Sequence, residues 1–180
     1  MERYNRTMKT KLLIGLSASL ALAGCGEEQA QGPAAVDVEA GKAFVQAHCT
    51  GCHTLDGGGK TSEIPNLAGQ PQEYLVSAMN AYRDGSRHHS ALQDLISGTS
   101  DEEVRNIAAY FADLPPVQAE PPSPAADAVY GEGSQIAAAC IDCHGERGHS
   151  MTPDVPNLAG QHPMYLIVAT QEYASGERDN

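Results

Sequence analysis

Large aromatic side chains and basic residues are both scarce in this chain of 180 residues. It has no Trp, two Phe and seven Tyr, so a core built from its own side chains would lack much of the large apolar surface that aromatic residues supply. The 11 Lys and Arg residues are outnumbered by 23 Asp and Glu residues, which gives a net charge of −12. Because binding to a phosphate backbone depends on cationic side chains, this balance argues against a nucleic-acid partner.

The amino-terminal residues have the features of an export signal. Basic residues precede a short apolar run over 12–23, which is too short to span a bilayer. We interpret residues 1–24 as a signal peptide of the lipoprotein type, because the run ends in L-A-G-C and would leave Cys25 to be lipidated. The tripeptide A-L-A within the run leaves ordinary signal-peptidase cleavage as the alternative. We therefore predict a bacterial periplasmic protein, anchored to a membrane by lipid at Cys25 and joined to that anchor by a tether over 25–36.

Four of the five cysteines lie in two copies of one motif, C-x-x-C-H. The copies are Cys49-Thr50-Gly51-Cys52-His53 and Cys140-Ile141-Asp142-Cys143-His144. Two thiols at this spacing can each form a thioether to a porphyrin vinyl group, and the next residue places an imidazole at the iron. A redox dithiol or half of a zinc site would use the cysteines but leaves the adjacent His unexplained. We predict two covalently attached haem c groups, with His53 and His144 as proximal iron ligands.

The chain repeats itself at an offset of 91 residues. Both motifs match at this offset, and so does P-N-L-A-G-Q, which occupies 65–70 and 156–161. One repetition at this period indicates two copies of a small domain, because solenoid repeats are about 20–50 residues long. A proline-rich stretch between the copies indicates an extended linker. We predict a first domain over 37–115, a linker over 116–130 and a second domain over 131–180.

Helical signals account for the remainder of the first copy. Apolar residues recur at helical spacing over 37–48, and Pro71 opens a second segment that runs to about Tyr82. Ser100 followed by Glu103 forms a capping box ahead of a third apolar stripe. These signals predict an all-α fold.

The exported region resembles the dihaem cytochrome c4 family, in which two class I cytochrome c domains share one chain. The resemblance rests on both C-x-x-C-H motifs, both P-N-L-A-G-Q segments and a G-x-R motif that ends at Arg87 and again at Arg178. It implies two tandem small domains, each made of a few short helices around one covalent haem. It also implies that the carbonyl groups of Pro65 and Pro156 accept the Nδ1–H of the two proximal histidines, which a ligating imidazole requires for its orientation.

The same resemblance implies a function and its partners. The family consists of one-electron carriers rather than enzymes, with a quinol-oxidising complex as donor and a terminal oxidase or another reductase as acceptor. The acidic surface predicts a cationic docking patch on those redox partner proteins.

The first copy departs from the family pattern at the sixth iron ligand. The family places a Met five residues after the Arg of G-x-R, and this chain has Leu92 there, which cannot ligate iron. The candidate sixth ligands of the first haem are His89, His88 and Met79. An open axial position at this haem is the alternative, and it would suit a haem-based gas sensor or a peroxidase-like enzyme.

The second copy differs in another way. At the same offset, the counterparts of 92–115 fall beyond Asn180, so we expect a second domain that is incomplete at its carboxyl end. Substitute ligands in this copy are sought among His149, His162, Met151 and Met164, each of which also fits an ordinary surface or packing role.

Overall fold

The computed structural model describes residues 35–118 and 127–178, and the regular structure within these ranges is helical, as predicted. The helices are α1 (Val38–His48), α2 (Gln72–Asp84), α3 (Ser90–Ser97), α4 (Asp101–Asp113), α5 (Asp127–Ala137), α6 (Ile141–His144) and α7 (Pro163–Ser175), with a 3₁₀ turn over Ala138–Cys140. The predicted signal peptide, Cys25 and nearly all of the predicted tether lie outside the described residues.

The core of the first half forms where α1 and α4 cross. Val45 of α1 and Ile107 and Phe111 of α4 are almost completely buried. Gly41 allows the close approach, because a Cβ there would lie 2.0 Å from the Asn106 carbonyl oxygen. The backbone N–H of Asp37 donates to the Asn106 side chain at 2.8 Å, which fixes the start of α1 against α4.

The predicted capping box is confirmed at the start of α4. Ser100 accepts a hydrogen bond from the backbone N–H of Glu103, and the Glu103 carboxylate accepts one from the backbone N–H of Ser100 at 2.8 Å. Two unsatisfied donors of the helix start are thereby paired. Helix α3 is an addition to the three helical segments predicted for this half.

The second half has helical counterparts of α1 and α2 in α5 and α7. Ile136 of α5 is 71% exposed, whereas Val45, its counterpart 91 residues earlier, is 0% exposed. Among the described residues, the face of α5 that corresponds to the α4-facing side of α1 is therefore exposed. Helix α5 begins at Asp127, inside the range 116–130 assigned to the linker; the proline run ends at Pro124, after which alanines permit helix.

Candidate functional site

The first C-x-x-C-H motif forms a tight turn at the carboxyl end of α1. Cys49 ends that helix with its N–H bonded to the Val45 carbonyl at 2.9 Å. Its own carbonyl accepts from the N–H groups of Cys52 at 3.2 Å and His53 at 3.0 Å. Burial, together with the nearby Cys52, raises the pKa of the Cys49 thiol to about 11. The turn thus holds two free thiols and an imidazole close together.

The His53 imidazole is half-buried beside the core of the first half. Its ring centroid lies 6.4 Å from that of Phe111. Burial lowers the pKa of His53 to about 4, against a smaller opposing effect of the Pro65 carbonyl. Nδ1 is buried and has no hydrogen-bond partner among the described residues. The ring is therefore neutral near pH 7, and a neutral imidazole has the lone pair that a metal ligand needs.

The second motif has the same ingredients in a more open setting. The cysteines at 140 and 143 are free and exposed, and His144 ends the short helix α6. Its Nδ1 lies 2.9 Å from the carbonyl oxygen of Pro156. This is the contact that the resemblance implied for this pair, and it leaves Nε2 available as a ligand.

Each turn fits a covalently attached haem by its chemistry. Two unpaired thiols three residues apart supply the thioether links, and the imidazole that follows has Nδ1 facing a backbone carbonyl. A hydrogen bond at Nδ1 fixes the tautomer in which Nε2 binds iron.

The candidate sixth ligands of the first half lie in different environments. Met79 packs against the hydrophobic core, and His88 is exposed on the turn before α3. His89 is the N-cap of α3, and its Nδ1 accepts a hydrogen bond from the Leu92 N–H at 3.3 Å. A neutral imidazole has one lone pair on its ring nitrogens, so the cap uses the one that ligation by Nε2 would require. His89 can ligate iron only if it releases the cap.

The two P-N-L-A-G-Q segments face each other and join the halves of the molecule. We call the four side chains involved the amide clamp: Asn66, Gln70, Asn157 and Gln161. The Asn66 N–H donates to Gln161 Oε1 at 2.8 Å, and Gln161 Nε2 donates to the Asn66 carbonyl at 2.9 Å. The Asn157 N–H donates to Gln70 Oε1 at 2.9 Å, and Gln70 Nε2 donates to the Asn157 carbonyl at 2.8 Å. The clamp is therefore reciprocal, as in a two-fold interface.

Two buried arginines lie beside the clamp. Arg87 and Arg178 belong to the repeated G-x-R motif, and their backbones form an isolated antiparallel bridge between the halves. Arg87 donates to the Tyr165 hydroxyl at 2.8 Å. Burial opposes the charge of Arg87, but nearby tyrosines, Tyr165 first, outweigh it and raise the pKa of the guanidinium. Arg178 also forms an ion pair with Glu172 at 2.5 Å. The Nε of each arginine is buried and has no hydrogen-bond partner among the described residues.

Comparison with known proteins agrees with this geometry. Residues 38–115 match the family model of cytochrome c. The chain is 34% identical over 176 residues to cytochrome c4 of Pseudomonas aeruginosa, an alignment that covers 94% of this chain and 84% of the relative. The chain belongs to the cytochrome c4 family. It is a c-type cytochrome, and this family consists of electron-transfer proteins that hold haem c covalently.

Two further relatives support the assignment. The structure of reduced cytochrome c4 from Pseudomonas stutzeri superposes with a TM-score of 0.70 at 26% identity, covering 81% of this chain and 84% of that one. The predicted fold, two class I cytochrome c domains in tandem, is thereby confirmed. A thiosulfate dehydrogenase electron acceptor of Thiomonas intermedia is 29% identical over 142 residues, which cover 73% of this chain and 65% of the relative.

The membrane prediction rests on residues that the structure does not describe. Among the described helices, none is long and apolar enough to cross a bilayer. The lipidation site predicted at Cys25 lies outside the described residues.

Sequence reasoning located the repeated segments but not their contact. In the sequence, the clamp amides and the two arginines are visible only as matching positions of the two copies, because a repeat does not reveal which of its residues meet in space. The identity of all six letters of P-N-L-A-G-Q in both copies was the available signal.

Proposed function

We propose that this cytochrome is an exported dihaem carrier of single electrons. One haem is held by Cys49, Cys52 and His53, and the other by Cys140, Cys143 and His144. The observation that carries the proposal is the pair of C-x-x-C-H turns, in each of which Nδ1 of the histidine faces the carbonyl of the proline that opens P-N-L-A-G-Q.

Bound haem supplies one-electron chemistry, because its iron alternates between Fe(II) and Fe(III). The cysteines fix the porphyrin covalently, and the histidines give the iron a neutral nitrogen ligand through Nε2. Pro65 and Pro156 orient those imidazoles and increase their basicity by accepting from Nδ1–H. The unpartnered Nε donors of Arg87 and Arg178 suit the anionic carboxylates that haem carries.

The proposed partners are redox proteins with cationic docking surfaces. Residues 1–24 hold four basic residues and one acidic residue, so their removal takes the net charge from −12 to −15. Attraction at long range then raises the association rate at low salt. We propose a quinol-oxidising complex as donor and a terminal oxidase or other reductase as acceptor. The name of the Thiomonas relative adds a sulfur-oxyanion dehydrogenase to the candidate donors.

We also propose a periplasmic location with a lipid anchor at Cys25. Replacement of Cys25 by Ser should move the protein from the membrane fraction to the soluble fraction. Retention of the Cys25→Ser protein on membranes after a high-salt wash would contradict the anchor.

A second candidate function follows from the first half. Leu92 occupies the position where the family supplies a Met. The Nδ1 lone pair of His89 accepts the hydrogen bond that caps α3. Without a protein ligand on that side, the first haem would bind a diatomic gas or a peroxide, as in a sensor or a peroxidase-like enzyme. His88 and Met79 are the remaining candidates that would close the position.

The test begins with the haem content of the full-length protein. We expect two haems per chain by the pyridine haemochromogen method. His53→Ala and His144→Ala should each remove the proximal ligand of one haem, and the absorption spectrum of that haem should change accordingly. His48→Ala, five residues from His53, is the matched control and should leave both spectra intact. Unchanged six-coordinate spectra in both motif variants would refute the ligand assignment.

Carbon monoxide separates the two functions, because it binds ferrous haem only at an open axial position. No binding by the dithionite-reduced protein would favour a carrier with both irons six-coordinate. Rapid binding at the first haem, retained in His88→Ala and Met79→Leu, would favour the ligand-binding function.

A further inference from the structure

One peptide group in the second half makes contacts in two opposite directions. Its carbonyl, that of Pro156, lies 2.9 Å from Nδ1 of His144. Its N–H, that of Asn157, donates to Oε1 of Gln70 at 2.9 Å. Gln70 belongs to the first half and is buried. A continuous series of hydrogen bonds therefore runs from a glutamine of one half to the proximal histidine of the other.

The first half contains the interface part of the same arrangement. The Asn66 N–H donates to Oε1 of Gln161 at 2.8 Å, and the other end of that peptide is the Pro65 carbonyl. This carbonyl raises the pKa of His53, but Nδ1 of His53 has no hydrogen-bond partner among the described residues. The series is thus complete on the His144 side and weaker on the His53 side.

We propose that Gln70 is a positioning residue for the haem held by His144, and that it sets the electron donation of that histidine from across the interface. The inference rests on the proposed attachment of haem to both motifs. Hydrogen bonds in series polarise one another, so an acceptor at the N–H of a peptide makes its carbonyl a better acceptor. A better acceptor at Nδ1–H makes the imidazole a stronger donor to iron.

The direction of the effect follows from this polarisation. Stronger donation by the imidazole stabilises ferric iron, so Gln70 lowers the reduction potential of the second haem. By the same reasoning, Gln161 lowers the potential of the first haem. Each haem then has a potential that depends on contact between the halves.

The test uses Gln70→Leu in the full-length holoprotein, which keeps the size of the side chain and removes both hydrogen bonds to Asn157. We expect the ferrous form of the second haem to be favoured by up to about twofold, since cooperativity changes the net strength of a hydrogen bond by about 10–30%. At 59 mV per tenfold for one electron, a twofold change is about 18 mV. A redox titration followed by NMR should assign this shift to the haem held by His144. The Nδ1–H signal of His144 should move in the same variant.

The matched control is Gln161→Leu, which removes the equivalent two bonds from the same interface. It also removes the bond that Gln161 Oε1 accepts from the His162 N–H at 3.0 Å within its own half. It should shift the haem of His53 and leave that of His144 in place. A crossed pattern, with each variant moving only the haem of the opposite half, supports the proposal. Equal shifts of both haems in either variant would mean that the interface has merely loosened, and would overturn it. Unmoved potentials and Nδ1–H signals would overturn it as well.

The haem count on the same samples distinguishes this inference from the proposed function. Fewer than two haems in the unmodified protein would refute the dihaem assignment itself. Two haems without crossed shifts would refute only the role of the glutamines. If one variant assembles poorly, the selective shift expected in the other still decides the question.

Discussion

Replacement of Gly41 by Ala tests whether the contact between α1 and α4 determines the stability of the first half. A Cβ at this position would lie 2.0 Å from the Asn106 carbonyl oxygen, 2.5 Å from its carbonyl carbon and 3.1 Å from the Ile107 nitrogen. These atoms belong to the backbone of α4 and cannot rotate away as a flexible side chain can. The two helices must therefore separate by about 1 Å to accept one methyl group.

The expected cost follows from what that separation disturbs. A gap of 0.5–1 Å loses about a quarter to a half of a dispersion contact. Val45, Ile107 and Phe111 are almost completely buried at this crossing, so the strain and lost contact cost about 3 kcal/mol. Ala in a helix interior is favoured over Gly by about 1 kcal/mol. The net prediction is a loss of about 2 kcal/mol in the free energy of unfolding.

The measurement is guanidinium unfolding of the holoprotein, followed by circular dichroism. Gly133→Ala in α5 is the matched control, because the described residues place no atom within 4 Å of its added Cβ. The control should be as stable as the parent or more stable, by up to about 1 kcal/mol. If Gly41→Ala were also neutral or stabilising, α1 and α4 could not approach as closely as described.

Three further perturbations address other parts of the first half. Phe111→Ala should lower the free energy of unfolding by about 3–5 kcal/mol, measured in the same titration; a loss below 1 kcal/mol would contradict its burial. Ser100→Ala should cost about 1 kcal/mol through the lost N-cap, read from the melting temperature. Hydrogen bonds from Ser100 hold the pKa of Glu103 below its ordinary value, so the stability it contributes is present above its unfolded pKa and is lost as the pH falls through its folded pKa. The cost of Ser100→Ala should therefore shrink in acid, and a cost independent of pH would exclude the carboxylate from the box. His89→Ala should leave carbon monoxide binding by the first haem unchanged, and a new or faster binding phase would instead identify His89 as the ligand.

Local signals in the sequence predicted the features that depend on neighbours along the chain. The helix over 37–48 is observed as α1 (Val38–His48), and the capping box of Ser100 and Glu103 is present as predicted. Both follow from side chains within a few residues of the backbone groups they satisfy. Such features can therefore be predicted without knowledge of the fold.

Helix α3 shows where this reasoning fails. It is eight residues long, too short for a repeated apolar stripe, and its N-cap is His89 rather than the usual Ser, Thr, Asp or Asn. Segments of this length are marginal alone and depend on tertiary packing. Buried Ile96 supplies that packing, but its partners lie elsewhere in the chain.

The amide clamp could not be predicted because its contacts join residues far apart in the chain. The repeat nevertheless contains matching residues at the positions that meet. In a two-fold interface a residue i contacts j while j contacts i, so the same residue types can make the contact in both copies. The six letters of P-N-L-A-G-Q are identical in the two copies, whereas the positions just outside differ: Ile64 against Val155, and Pro71 against His162. The proximal histidines require only the proline carbonyl. The asparagine side chains also accept backbone N–H groups within their own halves, from Gly59 at 2.8 Å and from Ser150 at 2.9 Å, so their identity has a local reason as well. The identity of the glutamines, which bond across the interface, fits mutual contact and makes the Gln70→Leu and Gln161→Leu pair the decisive comparison for this molecule.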